Sequence, residues 1–339
     1  MKRAVGIVLL LVIVVAAGVA GTAWTRLKTP YKGYASSEQF VEIPSGAGAA
    51  VIRQRLLDAG VVQDGWTLRL ALRWTGASRD LKAGEYRFDR PMTAVEVVEK
   101  IAHGDVYGQR ITFPEGLTIR EMAALYEMHG LGNARDFIAA SRNVALIQDL
   151  DPAASDLEGY LFPDTYIFAY GTSPRVAVRE MVTRFEHVWD PAWNDRLQQL
   201  AMSRNDIVTL ASIIEREARR PEERPVISAV YHNRLRLQMP LQADPTVEYA
   251  LGEHRDRLFY KDLDVESPYN TYRHPGLPPG PIASPGKASL EAALFPAAVP
   301  YRYFVASPDG HHEFRTTFKA HSEAVQEARR ERREHSSRE

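Results

Sequence analysis

Lys2 and Arg3 precede an uncharged run from Ala4 to Trp24, AVGIVLLLVIVVAAGVAGTAW, and this run restricts the chain more than any other stretch. About 20 mostly apolar residues cross a bilayer as a helix, and flanking basic residues favour the cytoplasmic side. A cleaved secretory leader is the rival reading, but its apolar part is shorter, about 7 to 15 residues, with a small-residue cleavage site behind it. Arg26, Lys28 and Lys32 weaken the charge asymmetry, so orientation also leans on the lack of a second apolar segment. The expectation is a single N-terminal transmembrane helix within residues 1–28, in the cytoplasmic (inner) membrane, with the remainder of the chain outside the cytoplasm.

The 339 residues hold 42 Lys+Arg against 43 Asp+Glu, a balance that gives no broad electrostatic reason to expect nucleic acid as a partner. Cysteine is absent, which excludes thiol catalysis, disulfides and cysteine-ligated metals. The sequence also lacks an H-E-x-x-H, a P-loop and a G-x-S-x-G. His311, His312 and Glu313 fall in an expected hairpin turn without a matching distant cluster, so no metal site and no cofactor are expected.

Residues 29–39 read as a polar tether. In residues 40–108, QFVEIPSG reads as a strand, AAVIRQRLLDAG as a helix stopped by Gly60, LKAGEYRFDR as a strand, and TAVEVVEKIAHG as a helix from Thr93 to Gly104. Periodicity leaves GWTLRLALRWTG open between helix and strand. A larger unit over 109–326 has helices through LASIIEREARR and ERPVISAVYHNRLRLQ, a Pro- and Gly-rich section from Met239 to Pro285, and a closing hairpin around Pro308, Asp309 and Gly310. Long structureless sections are uncommon unless they form a site, and the Tyr, Asn and Gln content of this one suits a neutral polar ligand such as a sugar. Residues 327–339 form a charged tail. The fold class expected is α+β.

Glu215 and Glu217 sit two apart on one helix, about 200° around its axis, so they cannot both face one cleft. Ser203 and Asp206 make a variant capping box, and Ile207, Leu210, Ala211, Ile214 and Ala218 form an apolar stripe with the two glutamates on its opposite borders. Glu215 has Arg219 four residues ahead, the usual exposed helix pair. Glu217 has Leu210, Ile213 and Ile214 on its edge, the surroundings that keep a carboxyl protonated for acid catalysis, although Arg220 works against this. Glycoside cleavage by an ordinary glycosidase requires a second carboxylate, for which Asp164, Asp244 and Glu248 are available; one acid/base suffices if the substrate supplies its own nucleophile.

The motifs EGYLFPDTY (158–166), ASIIERE (211–217), NRL (233–235), LQADPTVEYALG (241–252), YNTY (269–272) and GLPPGPIASPG (276–286) occur in one order along the chain. In this the chain resembles the endolytic murein transglycosylase family, the MltG or YceG-like proteins. The resemblance implies a membrane-anchored enzyme that cleaves the MurNAc-β-1,4-GlcNAc bond within glycan strands of peptidoglycan, leaves 1,6-anhydro-MurNAc ends and terminates nascent strands. It further implies a LysM-like module over 40–108 and a catalytic domain with local lysozyme-like character. Glu217 becomes the acid/base, Gln242, Asp244, Thr246, Tyr269 and Asn270 line the cleft, and Glu215, Asn233 and Asp164 support it. Peptidoglycan synthases are partners by the same likeness. The competing class is a noncatalytic, membrane-tethered peptidoglycan-binding adaptor.

Overall fold

Local capping chemistry fixes many of the element boundaries in this computed structural model, which describes the backbone of residues 2–44, 46–253, 255, 258–307 and 309–336; the side chains of 2–12, 16, 79 and 331–336 lie outside the description. The chain divides into two units, Met1–Arg110 with Ile167–Tyr170, and Ile111–Tyr166 with Gly171–Glu339.

The first unit contains α1 (Lys2–Lys28), β1 (Gln39–Ile43), α2 (Ala49–Asp58), α3 (Gly65–Thr75), β2 (Gly84–Phe88) and α4 (Ala94–His103). β1 and β2 pair antiparallel with Val41 opposite Tyr86. Strand alternation turns Val41, Ile43, Tyr86 and Phe88 into one core with Ile52, Leu56, Leu68, Val97 and Ile101 from the helices. α4 begins with a reciprocal cap, Thr93 accepting from the Glu96 amide and the Glu96 carboxylate from the Thr93 amide, and ends on Gly104 in the left-handed region (φ 74°). The ambiguous GWTLRLALRWTG is α3. Asp64 accepts from the amides of Trp66 and Thr67 at its start, a helix-only interaction that hydrophobic periodicity does not register.

The expected membrane span is corrected here. The apolar run does coil, as α1, but no helix among the described residues is long and apolar enough to cross a membrane. The side chains described, from Ile13 onward, include the small residues Ala17, Gly18, Ala20, Gly21 and Ala23 and end in Arg26 and Lys28. The last turn is committed to protein: Leu27 is buried in the first unit's core, Arg26 pairs with Asp64 at 2.6 Å, and Trp24 meets Trp74 edge-on at 5.8 Å. The inner-membrane location and the membrane as partner lose their support with it.

β3 (Gly108–Thr112) and β4 (Thr165–Ala169) form a second two-stranded ribbon whose residues are divided between the units. The second unit continues with α5 (Ile119–Met128), α6 (Ala134–Ala140), α7 (Pro174–Val188), α8 (Trp193–Leu200), α9 (Arg204–Glu217), α10 (Arg224–Arg236), α11 (Asp244–Leu251), α12 (Lys287–Leu294), the antiparallel hairpin of β5 (Tyr303–Ala306) and β6 (His312–Arg315), and α13 (Phe318–Ser336). In the expected hairpin turn, Asp309 and Gly310 are described and Pro308 lies outside the described residues, as do 337–339 of the tail. The section from Met239 to Pro285 is less irregular than its prolines suggest. Pro245 occupies the first turn of α11, where its missing amide proton is not needed.

α9 is the axis of this unit. Ile207 through Ile214 are all at most 1% exposed, which replaces the expected apolar stripe with a helix covered on every side, packed against α10, α11 and α12. Ser203 caps it as its sequence suggests, its hydroxyl accepting from the Asp206 amide at 3.1 Å while Asp206 accepts from the Ser203 amide at 2.8 Å. Ser203→Ala is expected to cost about 1 kcal/mol, read as a lower urea midpoint with unchanged slope.

Candidate active site

α9 ends at Glu217, after which Ala218 turns to extended backbone (φ −70°, ψ 112°). Its last turn points the two glutamates in different directions, and their surroundings differ in kind. Glu215 is enclosed, its side chain 6% exposed, with Arg224 (13%) at 2.9 Å from Oε1. Its Oε2 accepts from the Gly286 amide at 2.9 Å. Arg224 also donates to Ser289 Oγ at 3.0 Å and lies 3.8 Å from Glu115. The expectation of a solvent-facing Glu215 paired with Arg219 is therefore corrected: the pairing guanidinium comes from α10, beyond the reach of helical spacing rules.

Glu217 meets a phenol instead of a guanidinium. Its Oε1 accepts from the Tyr231 hydroxyl at 2.8 Å. Tyr231, 1% exposed, stands on α10. Burial pushes the Glu217 carboxyl up to about 7; the Tyr231 hydrogen bond and the Arg234 charge pull it down, and Asp244 and Glu248 push it further up. The Tyr231 hydroxyl is itself driven well above its ordinary value, by burial first and by the Glu217 charge, so it remains a donor at neutral pH. Arg234, 7% exposed, donates to the carbonyls of Arg302 and Leu241, each at 2.6 Å, and lies 5.2 Å from the Tyr303 ring. Backbone oxygens thus fix one positive charge whose field reaches the acid.

Asp244 opens α11 and accepts from the Tyr272 hydroxyl at 2.6 Å. Burial, then Asp244, raises the Tyr272 hydroxyl, and the Glu217 charge acts on it too. Glu217, Tyr231, Arg234, Asp244 and Tyr272 therefore form one electrostatic group.

The other residues expected at the cleft divide. Gln242 is exposed and holds a left-handed backbone (φ 48°) with its amide on the Thr271 carbonyl at 3.2 Å. Tyr269 is half-buried with its ring 4.8 Å from that of Tyr249. Thr246 and Asn270 are both 0% exposed. Thr246 bonds the Ala243 carbonyl and Thr271 Oγ1, and Asn270 donates to the carbonyls of Leu263 and Val265, so these two brace loops and present no surface to a ligand. Asn233 spans the carbonyls of Val299 and Tyr301 at 2.9 and 2.8 Å. Asp164 accepts from Arg184 on α7 at 2.7 Å. His312, beside the suspected turn histidine His311, gives its amide and Nδ1 to Glu223 at 2.9 and 2.7 Å.

Tyr231, Arg234 and Tyr272 are the members of the group that sequence reasoning passes over. Tyr231 and Arg234 are three apart on one helix, so they share a face, and that spacing next to NRL is the signal available. Replacing Tyr231 by Phe removes a hydrogen bond that favours the carboxylate, so the Glu217 proton is held to higher pH. If Glu217 must be protonated for turnover, kcat of the parent falls above about pH 7. In Tyr231→Phe that descending limb is expected at higher pH, which a kcat–pH profile measures.

A family model described as the YceG-like family matches residues 41–327. The chain is 34% identical over 299 residues to the endolytic murein transglycosylase of Bacillus subtilis (strain 168), covering 84% of this chain and 83% of that protein. It is 28% identical over 305 residues to the endolytic murein transglycosylase of Streptococcus pneumoniae serotype 2, covering 80% of this chain but only 55% of the pneumococcal length. The crystal structure of a protein described as YceG-like from Listeria monocytogenes superposes with a TM-score of 0.59 at 33% identity, over 85% of this chain and 98% of that one.

Proposed function

The chain belongs to the YceG-like family, and on that premise we propose that it is a lytic transglycosylase that cuts the MurNAc-β-1,4-GlcNAc bond inside peptidoglycan glycan strands, with Glu217 as the single acid/base. The observation that carries the reading is the Glu217 carboxyl itself, partly buried, held by Tyr231 and raised to about 7. Such a group is protonated in a useful fraction of molecules at neutral pH and yet ionises readily, as a residue that must give and then take one proton requires.

In the proposed reaction Glu217 donates its proton to the bridging oxygen as the bond from C1 of MurNAc breaks. The C6 hydroxyl of the same sugar attacks C1 intramolecularly, across the face of the ring, and the Glu217 carboxylate removes the hydroxyl proton. One C–O bond is lost and one gained, no water enters, and Glu217 ends protonated as it began. The products are a GlcNAc end with a free 4-hydroxyl and a 1,6-anhydro-MurNAc end. Asp244, oriented by Tyr272 and within the same field, supplies negative charge near the developing oxocarbenium. Residues 40–108, with two strands and the intervening α2 and α3, are read along with this as a LysM-like module.

The test is product mass from purified glycan strands incubated with the full chain. Anhydro ends support the proposal. Ends one water heavier indicate a hydrolase, and retention of strands without any product indicates the adaptor.

A further inference from the structure

Beside the Glu217 group lies a cavity of about 200 Å³ bordered by Glu158, Tyr249, Arg120, Arg216, Glu248 and Ile282. Glu158 belongs to EGYLFPDTY, a motif that the reaction above does not use. It is 6% exposed, and its two carboxyl oxygens lie 3.0 and 3.3 Å from the Ile119 amide at the start of α5, with the Tyr249 hydroxyl at 3.4 Å from Oε2. The Tyr249 ring is paired with that of Tyr269 at 4.8 Å, so an aromatic surface meets a cluster of hydrogen-bonding groups. On the far side Arg216 joins Glu248 at 3.4 Å.

Two features tie the cavity to the acid. Arg216 directly precedes Glu217 in the chain, and Glu248, one turn beyond Asp244 on α11, acts on the Glu217 charge. The helix thus presents Asp244 to the acid and Tyr249 to the cavity.

We propose that this cavity is a subsite for one N-acetylglucosamine residue and that, by taking only the neutral sugar, it sets which of the two alternating linkages of the strand faces Glu217. The inference rests on the saccharide reading above. An aromatic face, an apolar wall at Ile282 and Pro245, and both donors and acceptors match a pyranose with an acetamido group. Carboxylates at Glu121, Glu248 and Glu253 outnumber the guanidiniums of Arg120 and Arg216 along the lining, which disfavours a sugar bearing an anionic lactyl arm. Glu158 fits a neutral ligand also: burial, then Asp156, raises its carboxyl to about 8, so near neutrality it carries a proton to donate.

The full chain carrying Glu217→Gln, which stops turnover, is titrated calorimetrically with the N-acetylglucosamine tetramer. Binding is expected, weakened about three- to tenfold when Tyr249→Phe is added, since one hydroxyl is lost and the ring stays. Glu158→Gln, which keeps a neutral hydrogen-bonding head, is expected within about twofold of the parent, and Glu158→Met about tenfold weaker. Tyr249→Phe keeps the test valid if Glu158→Met does not fold. A galacturonate tetramer, with one carboxylate per sugar, is expected to bind at least about tenfold more weakly than the neutral probe. Unchanged affinity in Tyr249→Phe, or equal affinity for the two probes, overturns the subsite while leaving the saccharide reading intact. Glycan cleavage by the unsubstituted chain without tetramer binding by the parent does the same. Neither cleavage nor binding overturns both.

Discussion

Glu217→Gln is expected to lower kcat on glycan strands by at least about a thousandfold while the protein stays folded and no less stable at pH 8. Proton transfer by a positioned group contributes typically about 10²–10⁴ to rate, and the proposed reaction draws on this carboxyl twice. The stability half of the expectation follows from linkage. The folded protein holds the Glu217 proton to about 7 against an ordinary value of 4.5. Relative to the unfolded chain, the fold therefore loses stability as pH rises from about 4.5 to about 7, and above that window it bears the full cost of an ionised carboxylate in a desolvated place. Glutamine keeps the shape and removes the charge, so at pH 8 the melting temperature should hold or rise. A fall in melting temperature with retained turnover would contradict both halves.

Glu215→Gln should show the opposite phenotype. Its carboxylate and Arg224 are 6% and 13% exposed, and the substitution leaves the guanidinium, among the described residues, with Glu115 at 3.8 Å as its remaining carboxylate. Removing one member of a buried pair costs about 3–5 kcal/mol, or roughly 10 °C in melting temperature for a unit of this size. The loss should be visible in thermal melts monitored by circular dichroism. Activity measured well below the lowered transition should persist in part, because the Gly286 amide can still bond the amide oxygen at position 215. Equal loss of activity and no loss of stability would place both glutamates at the chemistry.

These opposed outcomes show where the sequence is legible. Thr93 with Glu96, Ser203 with Asp206, and Gly104 announce helix ends because their partners lie within three or four residues. Glu217 stands out for a related reason, its apolar neighbours being one turn back on the same helix. Glu215 is misread because what settles its environment is Arg224, nine residues on, and the amide of Gly286, 71 residues on. Thr246 and Asn270 are polar residues in a stretch that looks like a binding loop, but residue type does not distinguish a side chain offered to a ligand from one satisfying buried carbonyls. Tyr231 has the converse problem, reading as core until its hydroxyl is seen to end on a carboxylate. The apolar N-terminal run shows the same limit from another side: its composition speaks for a span, whereas Arg26 is engaged by Asp64, 38 residues on, Trp24 by Trp74, 50 residues on, and Leu27 by the first unit's core.

α9 is sheathed along eight consecutive residues, Ile207 to Ile214. A rod clamped that way has no room to roll or slide, so the tip that bears the proton is stationary, and tolerance for different substrates falls to side chains that reach the surface, such as exposed Gln242 and half-buried Tyr269. Directed evolution aimed at new glycans would then accept changes around Gln242 and Tyr269 and reject nearly all of those along the rod.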